Sequence, residues 1–487
     1  MLTFLVFFPV LAAIVVVTLP RDQERNAKWM ALAVTGAVFV VSLVLFGLFD
    51  RGEEGLQFTE RFRWIRAPEA GFDIQYFLGI DGLGLTMVIL TGFLFVVAVL
   101  VSWGVELRPR EYFAWILALE TGVLGVFTAQ DLILFFLFWE VELLPMYLLI
   151  SIWGTGRKEY SAMKFVLFTL VGSALMLVGF LVLGFAAGTF DMQELSRMEI
   201  TGTAIPLPAV FLLIFAGFAI KLPIFPLHTW LPDAHTDAPT AVSVILAGVL
   251  LKMGGYGMIR ILVGILPDTA QDYAVWLASL AAVSIIYGAI VTLRQTDLKR
   301  LIAYSSVSHM GYVLLGISAM GEVGLTGATL QMFSHGVITG LLFVTVGMIY
   351  DRAHTRNIDE LSGLAHVTPI IATTMIIAGL ASLGLPAMSG FVAEIMVFLG
   401  TMDRFEAPTI IGVVGIVLTA GYILWMVQRV MFGPRNERWA ALPDATAWWE
   451  QAPMAAMLAV ILAVGIYPAR LVEIIDQAIQ PIASRLG

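Results

Sequence analysis

Cysteine is absent from this chain of 487 residues, and charge is scarce, with Asp, Glu, Lys and Arg making up only 13%. Without cysteine there can be no disulfide, no thiol chemistry and no Cys-ligated iron–sulfur cluster. The charge content is about half the ~25% of an ordinary soluble domain, and 59% of residues are hydrophobic. Mean hydropathy is +0.91. A chain of this make-up cannot bury its apolar surface in a water-soluble globule, so it must face lipid. The net charge of −9 comes with no basic patch of the kind that binds nucleic acid. A secretory leader is also missing from the opening run: no basic residue precedes Arg21 and no A-x-A site follows, so residues 1–20 read as a retained span.

Long apolar runs dominate what is present. A spanning helix needs roughly 20 apolar residues, and about fourteen runs qualify on the helix-length criterion. They cover residues 1–20, 28–50, 80–104, 111–129, 131–153, 160–188, 208–225, 239–265, 272–293, 300–320, 324–350, 367–402, 407–431 and 452–476. The expectation is an all-α integral membrane protein. The longest connection, from Arg51 to about Gly79, mixes Arg51, Arg61, Arg63 and Arg66 with Glu53, Glu54, Glu60, Glu69 and Asp73, and reads as an irregular loop. Basic residues gather on cytoplasmic loops. Fifteen lie on the odd-numbered connections and eight on the opposite side with the tail, which predicts both termini outside.

Several ionisable residues fall inside the runs, where each costs at least about 2.5–3.5 kcal/mol and therefore marks function or a buried pair. Glu140 lies in FFLFWEVELLPMYLL, Lys221 in FLLIFAGFAIKLPIF, Lys252 in VILAGVLLKMGGYGM, and Glu394 in LPAMSGFVAEIMVFL. His309 sits in SSVSHMGYVLL and His335 in LQMFSHGVITG. One buried ion pair would suffice for packing, so the set points to a charge path. Glu142 is about 200° around a helix from Glu140, and Glu140 is preferred as the partner of Lys221. Lys164, one turn inside its run, is read as either snorkelling or functional.

Two runs are interrupted, by Lys221-Leu222-Pro223-Ile224-Phe225-Pro226 and by Gly384-Leu385-Pro386 ahead of Gly390 and Glu394. Proline blocks a helix, and broken helices survive in lipid only where they line a cavity or are covered by protein. Interruptions at matching places in two halves point to a transporter's ion path. Helices 4–8 and 9–13 then form two five-helix repeats, inverted because each has an odd number of helices, with helices 7 and 12 broken. The expected divisions are an N-terminal three-helix segment (1–110), a first repeat (111–265), a second (272–433) and a C-terminal connection with helix 14 (434–487). His228 and His235 around WLPDA suggest a zinc site only weakly, and His309 with His335 a haem only weakly. Trp448-Trp449 reads as an interfacial anchor.

The run KLPIFPLHTWLPDAHTDAPTAVSVILAGVLLKMGGYGMIR (221–260) closely resembles the antiporter-like M-type subunits of bacterial NADH:quinone oxidoreductase, respiratory complex I. WEVELLPMYLLISIWG (139–154), LKRLIAYSSVSHMGYVLLGI (298–317) and the stretch Leu383 to Glu394 extend the resemblance across most of residues 110–430. Sister subunits usually carry Lys in the twelfth span, so Glu394 resembles the M type. The resemblance implies a fourteen-helix antiporter-like fold in the membrane arm of the bacterial plasma membrane, between sister subunits. It implies no cofactor in this chain, with NADH, FMN, iron–sulfur clusters and quinone on other subunits. It further implies Glu140 as ion-pair partner, Lys221 and Lys252 as proton-holding lysines, His309 and His335 as their continuation, and Glu394 as the terminal carboxylate. The alternative is a subunit of a multisubunit cation/proton antiporter or a membrane-bound hydrogenase complex.

Overall fold

A computed structural model of the chain describes residues 1–53, 55–67 and 72–486. Its principal elements are α1 (Leu2–Thr18), α2 (Glu24–Leu48), β1 (Gln57–Ala67), β2 (Phe72–Ile80), α3 (Gly82–Val101), α4 (Pro109–Thr128), α5 (Leu132–Val141), α6 (Leu143–Trp153) and α7 (Lys158–Ala187). They continue as α8 (Leu207–Lys221), α9 (Trp230–Asp237), α10 (Thr240–Val263), α11 (Ala274–Leu293), α12 (Leu298–Ala319) and α13 (Glu322–Ala353). The last are α14 (Pro369–Ser382), α15 (Ser389–Met402), α16 (Glu406–Val430), α17 (Trp448–Ile466) and α18 (Ala469–Ala483). Among the described residues, eleven helical stretches are long and apolar enough to cross a membrane, α5 and α6 counting as one, and α1, α8, α14 and α15 are shorter apolar helices.

Burial separates an inner from an outer set. The membrane-length windows of α10 and α13 are wholly buried, whereas that of α17 is 22% buried. Glycines let the inner helices meet at backbone distance, as membrane helices without a hydrophobic drive between them require. A Cβ on Gly288 of α11 would lie 2.6 Å from the backbone nitrogen of Ser308 on α12, and one on Gly327 of α13 would lie 2.7 Å from that of Val397 on α15.

Three expectations need correction. The stretch 51–79 is largely an antiparallel hairpin, with Phe62 opposite Tyr76 and Glu60 opposite Leu78, so the molecule is not purely helical; Glu54 and Glu69 lie outside the described residues. The Glu60 carboxylate accepts from the backbone nitrogens of Leu2 (2.8 Å) and Thr3 (3.0 Å) and so caps the first turn of α1. Next, the last run is two elements rather than one. α17 stops at Ile466, since Pro468 cannot continue its ladder, and α18 follows with Leu471, Ile474, Ile475, Ala478, Ile479 and Ile482 buried against α3 and α13. Finally, the regular helix of the run 131–153 is interrupted at Glu142, between α5 and α6. Pro145 lies four residues after Val141, where its ring removes the hydrogen bond that would continue the helix.

Candidate functional site

The first interruption begins where α8 ends at Lys221. Regular α-helix resumes only at Trp230, which leaves the last carbonyls of α8 without helical partners and favours a cation at that end. Lys221 is fully buried and its Nζ donates to Glu142 Oε1, while the Trp139 and Phe165 rings each lie 5.4 Å from the ammonium. Glu140 was expected to make this pair, and it does not. It sits on the partly exposed flank of α5 beside exposed Val141, whereas Glu142, about 200° further round, lies on the inner side and is fully buried. One oxygen of Glu140 and Oε2 of Glu142 have no hydrogen-bond partner.

Lys252 lies midway along α10, between two π-helical segments, Leu246–Leu250 and Met258–Val263. Such wide turns recur at functional positions. Its Nζ donates to the Ala247 carbonyl and lies 2.8 Å from His335 Nδ1 on α13. An ammonium can only donate, so the charged Lys252 makes Nδ1 of His335 the acceptor and puts that ring's own proton on Nε2. His335 Nε2 has no protein partner. The His309 ring, on α12, is 5.5 Å from that of His335, centroid to centroid. Its Nδ1 is 3.7 Å from Glu394 Oε1 and 3.5 Å from Gln331 Nε2, and its Nε2 is 3.2 Å from Ser382 Oγ.

Glu394 is carried by α15, just after the second interruption. Gly384 there has φ +76°, a conformation other residues rarely adopt. A Cβ on it would lie 2.4 Å from Glu394 Oε2. The glycine thus bends the chain and leaves the carboxylate its space. Between these groups lies a cavity of about 10 Å³ lined by His309, Gln331, His335, Ser382 and Glu394 among others, roughly the room one water requires. Gln331 Oε1, His335 Nε2 and Glu394 Oε2 are unpartnered. Such a space holds no porphyrin, which removes the haem reading of His309 and His335.

The six expected residues therefore divide. Lys252, His335, His309 and Glu394 form one continuous cluster, Lys221 is paired with a neighbouring acid, and Glu140 stands aside. No hydrogen bond joins Lys221 to Lys252 among the described residues; Gly254 of α10 packs on the backbone of Phe218 and Leu222 between them. Lys164 Nζ is 2.7 Å from Asp233, which also receives Arg300 at 3.4 Å. His228 and His235 are buried with all four ring nitrogens unpartnered, and no group of three or more His, Cys, Asp or Glu that could hold a metal occurs among the described residues. His235 stacks on Phe343 at 4.6 Å. Nearby, the Lys299 Nζ donates to the Ala238 carbonyl (2.6 Å) beside a cavity of about 280 Å³ that Asp351 and Thr155 also line. Sequence reasoning missed Gln331 and Ser382, neutral polar residues that hydropathy does not flag. It also gave little weight to Glu120, buried with both oxygens unpartnered.

Membrane-length helices that bury Lys221, Lys252, Glu142 and Glu394 in their interior fit an antiporter-like membrane subunit. A family profile described as NADH:quinone oxidoreductase/Mrp antiporter, TM, matches residues 129–419, and the chain belongs to that family. It is similar to NADH-quinone oxidoreductase subunit M of Rhodobacter capsulatus, with 41% identity over 98% of this chain and 95% of the relative. It is likewise similar to NAD(P)H-quinone oxidoreductase chain 4 1 of Synechococcus sp. (strain JA-3-3Ab), with 43% identity over 100% and 93%. A chain of respiratory complex I from Thermus thermophilus superposes with a TM-score of 0.90 at 28% identity, covering both chains fully. A chain of the Mrp complex from Dietzia sp. shares the fold at a TM-score of 0.87 and 22% identity, covering 100% of this chain and 99% of that one.

Proposed function

We propose that this chain is the M-type, proton-translocating membrane-arm subunit of an NADH:quinone oxidoreductase, and that the relay runs Glu142–Lys221, Lys252, His335, His309, Glu394. Full-length similarity to subunit M and chain 4 proteins supports the assignment. The single observation that carries the relay is the buried cluster from Lys252 Nζ to Glu394, bridged at 2.8 Å to His335 and closed at 3.7 Å between His309 and Glu394. In this reading the chain crosses the membrane fourteen times, α4–α10 and α11–α16 are inverted repeats, and both termini lie outside. Electron transfer, with NADH, FMN, iron–sulfur clusters and quinone, belongs to partner subunits, and sister antiporter-like subunits flank this one in the plasma membrane.

Energetics set what the relay must do. Moving a proton against about 180 mV costs about 4 kcal/mol, at ~2.3 kcal/mol per 100 mV. That equals a swing of about three pKa units at ~1.4 kcal/mol each. Separating a buried lysine from its carboxylate supplies changes of that size. While Glu142 holds Lys221, the ammonium is stabilised; when the pair parts, Lys221 gives its proton up toward Lys252. Lys252 hands a proton to His335 Nδ1, His335 releases from Nε2 into the cavity lined by His309 and Glu394, His309 passes it from Nδ1 to Glu394, and Glu394 yields it to the outside.

The test is NADH-driven proton uptake in inverted membrane vesicles carrying Lys252→Met in the assembled complex. The expected outcome is loss of most uptake with NADH:ferricyanide activity intact. Uptake at the parental rate overturns the relay.

A further inference from the structure

Four tryptophans that the relay does not use converge at one end of the helices, and a groove leads away from them. Trp29 opens the membrane part of α2, Trp103 follows the end of α3, and Trp448 and Trp449 begin α17. Trp29 stacks on Trp448 (centroids 6.0 Å), Trp103 stacks on Trp449 (6.3 Å), and Trp29 meets Trp103 edge-on at 5.0 Å. With Glu24, Arg25 and Lys28 they line a cavity of about 430 Å³. Lys28 Nζ donates to the Trp103 carbonyl at 2.8 Å. Arg25 is exposed and makes no ion pair or hydrogen bond among the described residues. An interfacial belt spreads its tryptophans around a protein; here they gather at one spot together with an uncommitted guanidinium.

Below this niche α3 shows only a narrow stripe outward between its neighbours. Within α3 only Ile89, Val96 and Val101 escape full burial, and Ile89 and Val96 fall in line with Trp103 at seven-residue spacing, one stripe of the helix. α2 and α17 pack on α3 and flank that stripe. Their faces beneath the tryptophans carry small residues. Ala33 and Gly36 continue the face of Trp29, and a Cβ on Gly36 would meet nothing within 4 Å; Ala452, Ala455 and Ala459 continue the face of Trp448 and are exposed. The stripe from Trp103 to Ile89 runs about 21 Å at ~1.5 Å per residue, longer than the ~15 Å of hydrocarbon in one leaflet.

We propose that this niche and groove bind one anionic phospholipid, its phosphodiester held by Arg25 and Lys28 under the tryptophans and an acyl chain lying on α3 between α2 and α17. Two cations against the single acid Glu24 favour an anionic headgroup, and the apolar groove running from the niche selects a lipid over free phosphate. The guanidinium supplies paired donors to phosphate oxygens, and the indoles sit at the headgroup level they prefer.

Native mass spectrometry of the delipidated complex, reloaded from micelles of phosphatidylglycerol or phosphatidylcholine, tests this. The parent should hold one more phosphatidylglycerol than phosphatidylcholine per copy of this chain. Arg25→Gln should weaken that binding about fivefold, as a surface basic residue contributes ~1 kcal/mol toward anionic lipid. Ala33→Leu with Ala455→Leu, which fills the groove and leaves the charges, should weaken it as well. Equal retention of the two lipids, an unchanged Arg25→Gln variant, or displacement by inorganic phosphate alone each overturns the proposal. Arg25 caps no helix and pairs with nothing described, so its replacement does not put folding at risk.

Discussion

The two interrupted helices solve opposite electrostatic problems. At the first, Lys221 ends α8 with its charge matched by Glu142, and the aromatic rings of Trp139 and Phe165 close around the pair. At the second, Glu394 follows a glycine turn with no lysine or arginine paired to it among the described residues; its neighbours are an imidazole, a cavity the size of one water and the empty side of Gly384. A matched buried pair resists change, because removing one member strands the other at about 3–5 kcal/mol. A lone carboxylate beside exchangeable groups can take up and release a proton with little rearrangement. In the proposed relay, the first break would store charge and the second would pass it on.

Breaking the stored pair should have the largest effect. Lys221→Ala should abolish most NADH-driven proton uptake, and Glu142→Gln should do nearly as much, while Glu140→Gln should leave at least half. Equal loss in the two glutamine variants would restore Glu140 as a partner of Lys221. Next in size is the passing end. Glu394→Gln keeps the shape but carries no proton, so uptake should fall severely, whereas Glu394→Asp and Glu394→Lys, which still titrate, should be milder; the three are compared in the same vesicles. Smaller again is Gly384→Ala. A left-handed residue bearing a Cβ costs roughly 1–2 kcal/mol and here crowds Oε2, so uptake should fall severalfold while assembly, read on native gels, persists. Gln331→Leu should be the mildest. It removes one acceptor from the cavity, and a larger solvent deuterium isotope effect on uptake than in the parent would place the slow step there; an unchanged isotope effect would leave Gln331 as packing.

Legibility in the sequence followed cost. Lys221, Lys252, His309, His335 and Glu394 stood out because an ionisable group inside an apolar run is expensive and therefore rare. Gln331 and Ser382 carry no such mark, since neutral polar residues are common in membrane helices, and only the geometry of His309 reveals them. The choice between Glu140 and Glu142 failed on a different ground. The two face opposite sides of the helix, and nothing in their spacing says which side meets Lys221. The hairpin was readable too: Arg61, Phe62, Arg63 and Trp64 alternate polar with apolar up to the irregularity before Ile65, as do Asp73, Ile74, Gln75 and Tyr76, the period of a strand. Charge density in that stretch hid the alternation. The Trp29–Trp448 contact has no local signal at all, for it joins residues more than 400 positions apart.

The ring of His335 joins its two neighbours by different nitrogens, Nδ1 toward Lys252 and Nε2 toward the cavity. A proton that enters at Nδ1 and departs from Nε2 leaves the imidazole as its other tautomer, with the acceptor now facing away from the lysine. In that condition Lys252 has nowhere to deliver a second proton, whereas a proton returning from Glu394 to Nε2 finds a neutral lysine at Nδ1 ready to take it back, so the path stays open backward until the ring resets. The ring must turn over, or its proton must be exchanged, before the next can pass. If the proposed relay holds, His335 would pass one forward proton per reset, and the rate of that reset would bound the throughput of the line.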